Sequence, residues 1–462
     1  MPEDVANSAK LLSALRPGLC VVVQPMGTKS LTWSLNSPAS NIQLDCTAME
    51  KMYLGRTKLG QEETAGKWNE IIAHRRANLF DVGGSKMNMG DGGSLQAELN
   101  TAMAAVHRAS FMSRSLQKNF QSISKDDKSP VTIADFAVQA LVIDKLRATF
   151  PTDRFIAEED SSILQEDAGI RQGVLDALQA ATSERWTDQR LFETVDAGAF
   201  SGAAERVWVL DPVDGTKGFI RGEHYCIALA LLVKGQSQLA VLGCPNVNLS
   251  NVLQPKRTAA GGSNIAAIDA SASIPGPAGS PSTTFFPVSS GSVFYSVSGR
   301  GAWARSLAMP LGAGYEVQVS SVEGPQDVAL CESAEASHGD RAVTKAVFKS
   351  LGLMRDYVRL DGQCKYCIVG SGAAEGNMRL PPAGYREKIW DHAPGVHFII
   401  EAGGKVTDLE GKGLDFGNGR FLSEHVTGIL ATNQVLHGEI LSAIVQAKQA
   451  TSRDTAGRLF GQ

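Results

Sequence analysis

The chain has 462 residues, a net charge of only −4 and an ordinary globular share of apolar residues, enough for two domains or one large layered fold. So small a charge excludes a protein that depends on a basic field to hold nucleic acid, while leaving a single small nucleotide open as a ligand. No run of about eighteen apolar residues occurs, which excludes an ordinary membrane-spanning helix, and seven scattered cysteines, an odd number, argue against a secreted disulfide scaffold.

Residues 1–95 carry no sustained hydrophobic period and close on a glycine-rich run at Gly83, Gly84, Gly90, Gly92 and Gly93. They read as an N-terminal extension outside the main fold, disordered or transit-like. Between residues 5 and 44 there is no acidic side chain, Lys10, Arg16 and Lys29 are basic, and Ser and Thr are frequent. That composition suits an organelle address, against which Glu3 and Asp4 count. The expected compartment is the cytoplasm, with chloroplast or mitochondrion as the alternative.

From Ser94 a helical stripe begins, formed by Leu95, Leu99, Met103, Val106 and Ser110. Residues 132–149 give a second helix with Phe136, Ala140, Ile143 and Leu146 on one face, stopped by Pro151. Residues 154–157 form a short strand that delivers Glu158, Glu159 and Asp160, and 161–206 are helical in pattern. Residues 207–210 are a buried strand, and 225–233 with 237–243 read as a hairpin about Lys234-Gly235. Residues 254–290, rich in Ala, Gly, Ser and Pro, are too long for a structureless link inside a compact domain and read as a surface insertion. The fold resumes at 291–298. Beyond Val317, strand and helix patterns alternate: a strand at 328–331, a helix from His338, then 364–370, 391–402, and a last helix from Gln434. The reading is an α/β fold, with an N-terminal α+β domain at 96–317 and a C-terminal α/β domain at 318–462.

The chemistry concentrates in Asp211-Pro212-Val213-Asp214-Gly215-Thr216. Pro212 cannot donate to a ladder and is expected to end the strand. A helix starting after Gly215 would aim free N–H groups at whatever lies in front of it, an anion site. Two carboxylates facing such a site call for a bridging cation, and an oxygen-only cage suits magnesium. A plain cap would need one Asp, not two. Glu158 and its acidic neighbours would project from a sheet edge. Asp391 opens the apolar run 391–402, where capping is the alternative role. Asp135 lies near the start of the second helix, where dipole compensation is the alternative.

Ser129-Pro130-Val131-Thr132-Ile133-Ala134-Asp135, the strand end at Glu158-Glu159, the stretch from Leu210 to Thr216, and Trp390-Asp391-His392-Ala393-Pro394-Gly395 occur in one order. In that order they resemble the lithium-sensitive, magnesium-dependent inositol monophosphatase superfamily. Lys217 to Glu223, Gly243-Cys244-Pro245-Asn246, Lys365-Tyr366-Cys367, Arg379-Leu380-Pro381, Glu387 to His392 and Leu414 to Gly419 are similar to its 3′(2′),5′-bisphosphate nucleotidase branch. The likeness covers about residues 97–450. It implies a layered αβαβα sandwich of the inositol monophosphatase and sugar phosphatase type. It further implies two or three Mg2+ ions held by Glu158, Asp211, the carbonyl of Val213, Asp214 and Asp391. Asp135 and Thr216 would orient and deprotonate the attacking water, and Gly215 and Thr216 would receive the scissile phosphate. His338, Lys365, Arg379 and Asp391 would contact the rest of the substrate. The implied reaction is removal of the 3′-phosphate of 3′-phosphoadenosine 5′-phosphate, and of its phosphosulfate relative. An inositol phosphate 1-phosphatase and a non-catalytic nucleotide sensor are the alternatives. The implied partner is a small nucleotide, with no nucleic acid and no membrane, met by a monomer. Two departures stand out: Ala157 where the family carries Gly, and Gly362 where Ser is common, which puts a substrate hydroxyl contact in doubt.

Four other residues or pairs admit more than one reading. Cys364 and Cys367 have CxxC spacing without a second pair, so structural thiols lead over a redox pair and zinc. Lys217 is a phosphate contact or a solvated lysine. Trp390 reads as core packing rather than a stacking platform. Lys365 needs an anionic partner, a ligand phosphate or a local carboxylate.

Overall fold

A computed structural model of the chain describes residues 20–26, 30–37, 40–44, 95–120, 129–202, 204–252, 291–308, 314–324, 327–334, 341–353, 358–382 and 384–459. It divides into two compact units, one built on residues 1–90 and one on 91–272 and 288–462. In the first, β1 (Cys20–Met26), β2 (Ser30–Ser37) and β3 (Ser40–Leu44) form an antiparallel sheet, where the sequence pattern suggested no regular element. The rest of the N-terminal extension and the insertion at 254–290 lie outside the described residues.

The second unit opens with α1 (Gln96–Phe120), whose stripe is buried at Met103, Val106 and Ser110. Helix α2 (Ser129–Thr149) begins three residues before the expected start. Asp135 therefore sits in its second turn rather than at the dipole end. Strand β4 (Arg154–Ala157) follows as expected. Then come α3 (Ser162–Glu166), α4 (Ala168–Thr182), capped by Asp167 through the N–H groups of Gly169 and Ile170, and α5 (Asp188–Asp196), capped by Thr187.

Strand β5 (Arg206–Asp214) corrects one expectation: it does not end at Pro212. Its pairing with the next strand shifts register between Asp211 and Asp214, so the proline occupies an irregularity where no ladder donor is required. After α6 (Thr216–Arg221), strands β6 (Cys226–Val233) and β7 (Gln236–Cys244) make the expected hairpin. Its two turn residues, Lys234 (φ 50°) and Gly235 (φ 77°), both take the left-handed conformation that matches strand twist. A short α7 (Leu249–Val252) precedes β8 (Ser292–Val297), β9 (Ala302–Ser306) and β10 (Tyr315–Val317).

Beyond these lie β11 (Leu330–Ser333), two residues later than expected, α8 (Arg341–Leu351), β12 (Val358–Leu360), α9 (Cys364–Gly370) and β13 (Gly376–Arg379). A 3-10 turn (Ile389–Asp391) leads into α10 (Ala393–Glu401), then β14 (Gly404–Asp408), β15 (Ile429–Asn433) and α11 (His437–Leu459). Seven strands form one sheet in the order β10-β9-β8-β7-β6-β5-β4, antiparallel except for the β4–β5 pair. Five form a second, in the order β12-β11-β13-β15-β14, parallel where β11 meets β12 and β13.

The alternation within strands builds the layers. Ile227, Leu229 and Leu231 of β6 face α1, α2, α4 and α5, packing with Val106, Phe136, Leu178 and Leu191. Cys226, Ala228 and Ala230 face the other way, and their small size lets α9 and α10 approach through Val369, Val396 and Phe398. The same middle helices cover Leu360, Val406 and Ala431 of the second sheet. Leu330 and Leu430 on its far face pack against Val343, Val347, Ile440 and Ile444 of α8 and α11. The order is helix, sheet, helix, sheet, helix, as expected. The expected boundary at 317/318 falls where the first sheet's last strand ends. No helix among the described residues is long and apolar enough to cross a membrane.

Candidate active site

Three chain breaks set the acidic wall. Strand β4 is the edge of its sheet and ends at Ala157, so Glu158 and Glu159 leave the ladder there. Gln139 of α2 clamps the turn: its amide donates to the carbonyl of Glu159 at 2.7 Å and accepts from the N–H of Glu159 at 3.0 Å. In β5 the N–H of Val213 donates to Asp211 Oδ1 at 3.1 Å, which folds the carboxylate back over the irregularity. Gly215 has φ 100°, a conformation that suits glycine alone. The third break is the 3-10 turn that ends at Asp391.

Oxygen atoms of Asp211, Asp214 and Asp391 lie within 4.8 Å of one another. Those three, with Glu158, Val213, Gly215, Thr216, Lys365 and Arg379, line a single pocket of about 360 Å3. Asp135 is buried outside that wall. Burial pushes its carboxyl well above the usual range, and the charges of Glu159 and Glu158 add to the effect. Asp211 is pushed well up by burial and then by Glu158, Asp214 and Asp391. Burial and Asp391 raise Asp214 to about 7, against the pull of Lys365 and the Gln363 N–H. Burial raises Glu158 too, with Lys388 opposing and Asp391 adding. Glu159 reaches about 7 through burial, Glu158 and Asp160. Burial and mutual repulsion thus make a positive counter-charge favourable beside these carboxylates.

The opposite wall is cationic and internally paired. Lys388 Nζ meets Glu158 Oε1 at 3.1 Å. Lys365 donates to the carbonyls of Gly362 (2.9 Å) and Leu360 (3.4 Å). Arg379 Nε donates to buried Glu387 Oε1 at 2.8 Å. His392 Nε2 donates to Glu387 Oε2 at 3.0 Å, since a carboxylate can only accept, and the Tyr366 hydroxyl meets His392 Nδ1 at 2.9 Å. Burial alone would raise Glu387, yet His392 and Arg379 together hold it at about 2. Gln363 ties the walls together: its N–H donates to Asp214 Oδ2 at 2.8 Å and its side-chain amide to the carbonyl of Trp390 at 2.8 Å.

Of the residues singled out in the sequence, Glu158, Asp211, Val213, Asp214, Gly215, Thr216, Lys365, Arg379 and Asp391 converge on this pocket. His338 lies outside the described residues. Asp391 does not cap α10, whose N-cap is His392. The helix after Gly215 is only six residues long, a much weaker dipole than a full helix offers an anion. Thr216 Oγ1 donates to the carbonyl of Val213 at 3.4 Å, and no hydrogen bond to Asp135 is made among the described residues. Gly362 has φ 57°, and a Cβ there would collide with the carbonyl oxygen of Asp214, so the backbone leaves no room for a serine. Trp390 is 2% exposed and covered by the guanidinium of Arg420 at 4.6 Å, a packing role. Lys217 lines the pocket. Cys364 and Cys367 are buried free thiols, and Cys244 Sγ lies 3.7 Å from both Cys226 Sγ and Cys367 Sγ. Sequence reasoning passed over Gln139, Gln363 and Lys388. Gln139 carried a signal, since it stands four residues after Asp135 on one helix face.

The inositol monophosphatase family model matches residues 94–449. A 3′(2′),5′-bisphosphate nucleotidase of Emericella nidulans is 36% identical over 369 residues, covering 76% of this chain and 98% of that protein. The 3′,5′-bisphosphate nucleotidase AHL of Arabidopsis thaliana is 36% identical over 388 residues, covering 78% and 99%. Among solved structures, inositol monophosphatase from Anabaena sp. PCC 7120 aligns over 76% of this chain and 96% of its own at 20% identity, with a TM-score of 0.45.

Proposed function

The chain belongs to the inositol monophosphatase family, and on that premise we propose that it is a magnesium-dependent phosphatase acting on 3′-phosphoadenosine 5′-phosphate. It removes the 3′-phosphate to give AMP, takes 3′-phosphoadenosine 5′-phosphosulfate as a second substrate, and works as a monomer. The observation that carries this reading is the convergence of Asp211, Asp214 and Asp391 within 4.8 Å in a pocket that also presents Lys365, Lys388 and Arg379. The relatives' names supply the nucleotide.

The donor set fits the metal. Carboxylates that bind protons too tightly are satisfied by a hard divalent cation, and an all-oxygen set suits magnesium. Glu158, Asp211, Asp214, Asp391 and the carbonyl of Val213 would hold it. Magnesium bound there supplies charge against a phosphate dianion and lowers the pKa of water. Thr216 gives its hydroxyl hydrogen to Val213, which leaves the Oγ1 lone pairs to orient a water. Asp135, buried behind the wall beside Glu158 and Glu159, is the base assigned to the released proton. Lys365 spends two of its three donors on backbone carbonyls, and the third is left for a substrate phosphate. Arg379, oriented by Glu387, is the second cation for that phosphate.

Phosphate release from 3′-phosphoadenosine 5′-phosphate, its phosphosulfate relative and inositol monophosphate tests the proposal, with magnesium, with a chelator, and with lithium added. The nucleotides are expected to lead, with activity lost to chelator and reduced by lithium. Hydrolysis of inositol monophosphate alone would replace the nucleotide reading. Tight nucleotide binding without release would make the protein a sensor.

A further inference from the structure

Among the described residues, Glu158 is the one expected metal ligand that already carries an ion pair: Lys388 Nζ lies 3.1 Å from Glu158 Oε1. Asp211 and Asp214 take backbone N–H groups instead, and the three carboxylates whose oxygens lie within 4.8 Å of one another assemble without Glu158. The pair is open to the pocket. Both residues line it, and the Lys388 and Glu158 side chains are 34% and 31% exposed, so an ion from solution reaches them. That separates the pair from Glu387, which is fully buried and met by Arg379 and His392 together. The backbone beside Lys388 is pinned: the N–H of Ile389 donates to the carbonyl of Arg420 at 3.1 Å, and the N–H of Leu422 to that of Glu387 at 2.8 Å. The ammonium itself rides on a flexible four-carbon stem. Arg420, the other cation whose field reaches Glu158, is committed elsewhere, since its guanidinium donates to the carbonyls of Ala157 at 2.7 Å and Gly198 at 3.0 Å. Lys388 is therefore the cation at Glu158 that can move.

Resting on the magnesium reading above, we propose that Lys388 is the resident counter-ion of Glu158 and yields that carboxylate to an arriving divalent cation, so that its departure sets the magnesium concentration the site needs. Magnesium binds a carboxylate oxygen at about 2.1 Å. An ammonium held 3.1 Å from the same group would stand within about 5 Å of the ion, where like charges in a partly desolvated pocket repel. One of the two leaves, and the doubly charged one gains more from the neighbouring carboxylates. Without metal, the same lysine spares the fold a further unpaired carboxylate beside the three aspartates. In this role Lys388 touches neither substrate nor reacting atoms; it is a positioning residue that acts through Glu158.

Calorimetric titration of magnesium into the full, chelator-stripped chain tests this, comparing the natural protein with Lys388→Met, Lys388→Arg, Glu158→Gln and the double variant Lys388→Met/Glu158→Gln. Lys388→Met is expected to bind magnesium about three- to tenfold more tightly, the worth of releasing Glu158 from a part-exposed pair, and to need correspondingly less magnesium for half-maximal turnover. Lys388→Arg, which keeps the charge, should stay within about twofold of the natural protein. In the Glu158→Gln background the same Lys388→Met change should move affinity by less than about twofold. A tightening that persists there would be a general field effect and would overturn the exchange, as would equal or weaker binding in Lys388→Met. Should the lysine variants not fold, amine labelling of the natural protein read by mass spectrometry decides the matter. Lys388 should react faster with magnesium than with chelator, because an amine freed from its carboxylate loses its proton more readily, and equal or slower labelling overturns the proposal. Each of these failures leaves the phosphatase reading standing. A chain that binds no divalent cation at all would overturn both.

Discussion

Asp214 and Glu387 stand in one pocket, and they behave in opposite ways. Burial pushes both carboxyls up, yet Asp214 is raised to about 7 and Glu387 is held at about 2. The difference lies in what each one faces. Asp214 faces Asp391 and the rest of the acidic cluster. Glu387 is met from two sides by Arg379 and His392. A carboxylate with its counter-charge built in holds the structure together, and one without it is kept ready for a charge that arrives from outside.

The sharpest way to break that contrast is to neutralise the acidic side. Asp211→Asn and Asp214→Asn should each lower turnover by about a thousandfold or more. A metal contribution of several kcal/mol corresponds to about one decade per 1.4 kcal/mol. The thermal midpoint in chelator should stay level or rise, since a repelling charge has been removed from the cluster. Phosphate release and melting in chelator check both halves. A variant that keeps its turnover, or one that melts far earlier without metal, would show these aspartates to be structural like Glu387.

Glu387→Gln probes the other side, and its effect falls on the fold first. Taking the charge from a buried pair weakens the hold on Arg379 and unsettles the His392–Tyr366 hydrogen bonds, at a cost of about 3 kcal/mol. Melting should drop by a similar amount with magnesium and with chelator, and KM should rise as Arg379 loses its orientation. Unaltered stability would mean that the network contributes no more than a surface ion pair.

The two sides differed as much in how they could be read from sequence. The acidic wall was legible because it is local: Asp211 and Asp214 stand three apart at the end of one strand, Glu158 follows the end of another, and Asp391 closes the 3-10 turn. Helix α2 and the hairpin were legible from period and turn chemistry. The paired wall was not. Lys388 meets Glu158 across 230 positions, and Gln363 meets Asp214 across 149, separations on which no spacing rule bears. Pro212 misled for a related reason. The rule that proline ends a strand assumes a regular ladder, and β5 shifts register at that point.

The smallest expected effect separates the two sides by pH alone. Without a cation, the raised groups Asp211, Asp214, Glu158 and Glu159 bind protons more tightly in the folded state than in the unfolded one. Their contribution to stability is complete below an unfolded pKa of about 4 and is lost as pH climbs through the raised folded values, about 7 for Asp214 and Glu159. Glu387 runs the other way: its contribution is complete above about 4.3 and fades only as pH falls toward about 2. Between about pH 5 and 8, then, the acidic cluster moves and Glu387 does not, while the histidines that burial holds low, His397 and His437 at about 4 among them, move the opposite way below about 6.5. Above about pH 6.5, where those histidines are neutral in both states, the midpoint in chelator should fall by a few degrees. Magnesium should restore it, and restore more at pH 8 than at pH 5, because binding to already ionised carboxylates displaces no protons. Asp214→Asn should flatten the slope in chelator while Glu387→Gln leaves it in place. A midpoint level with pH in the natural protein would mean that some charge within the chain already balances the cluster, and the four carboxylates would then have no need of an ion.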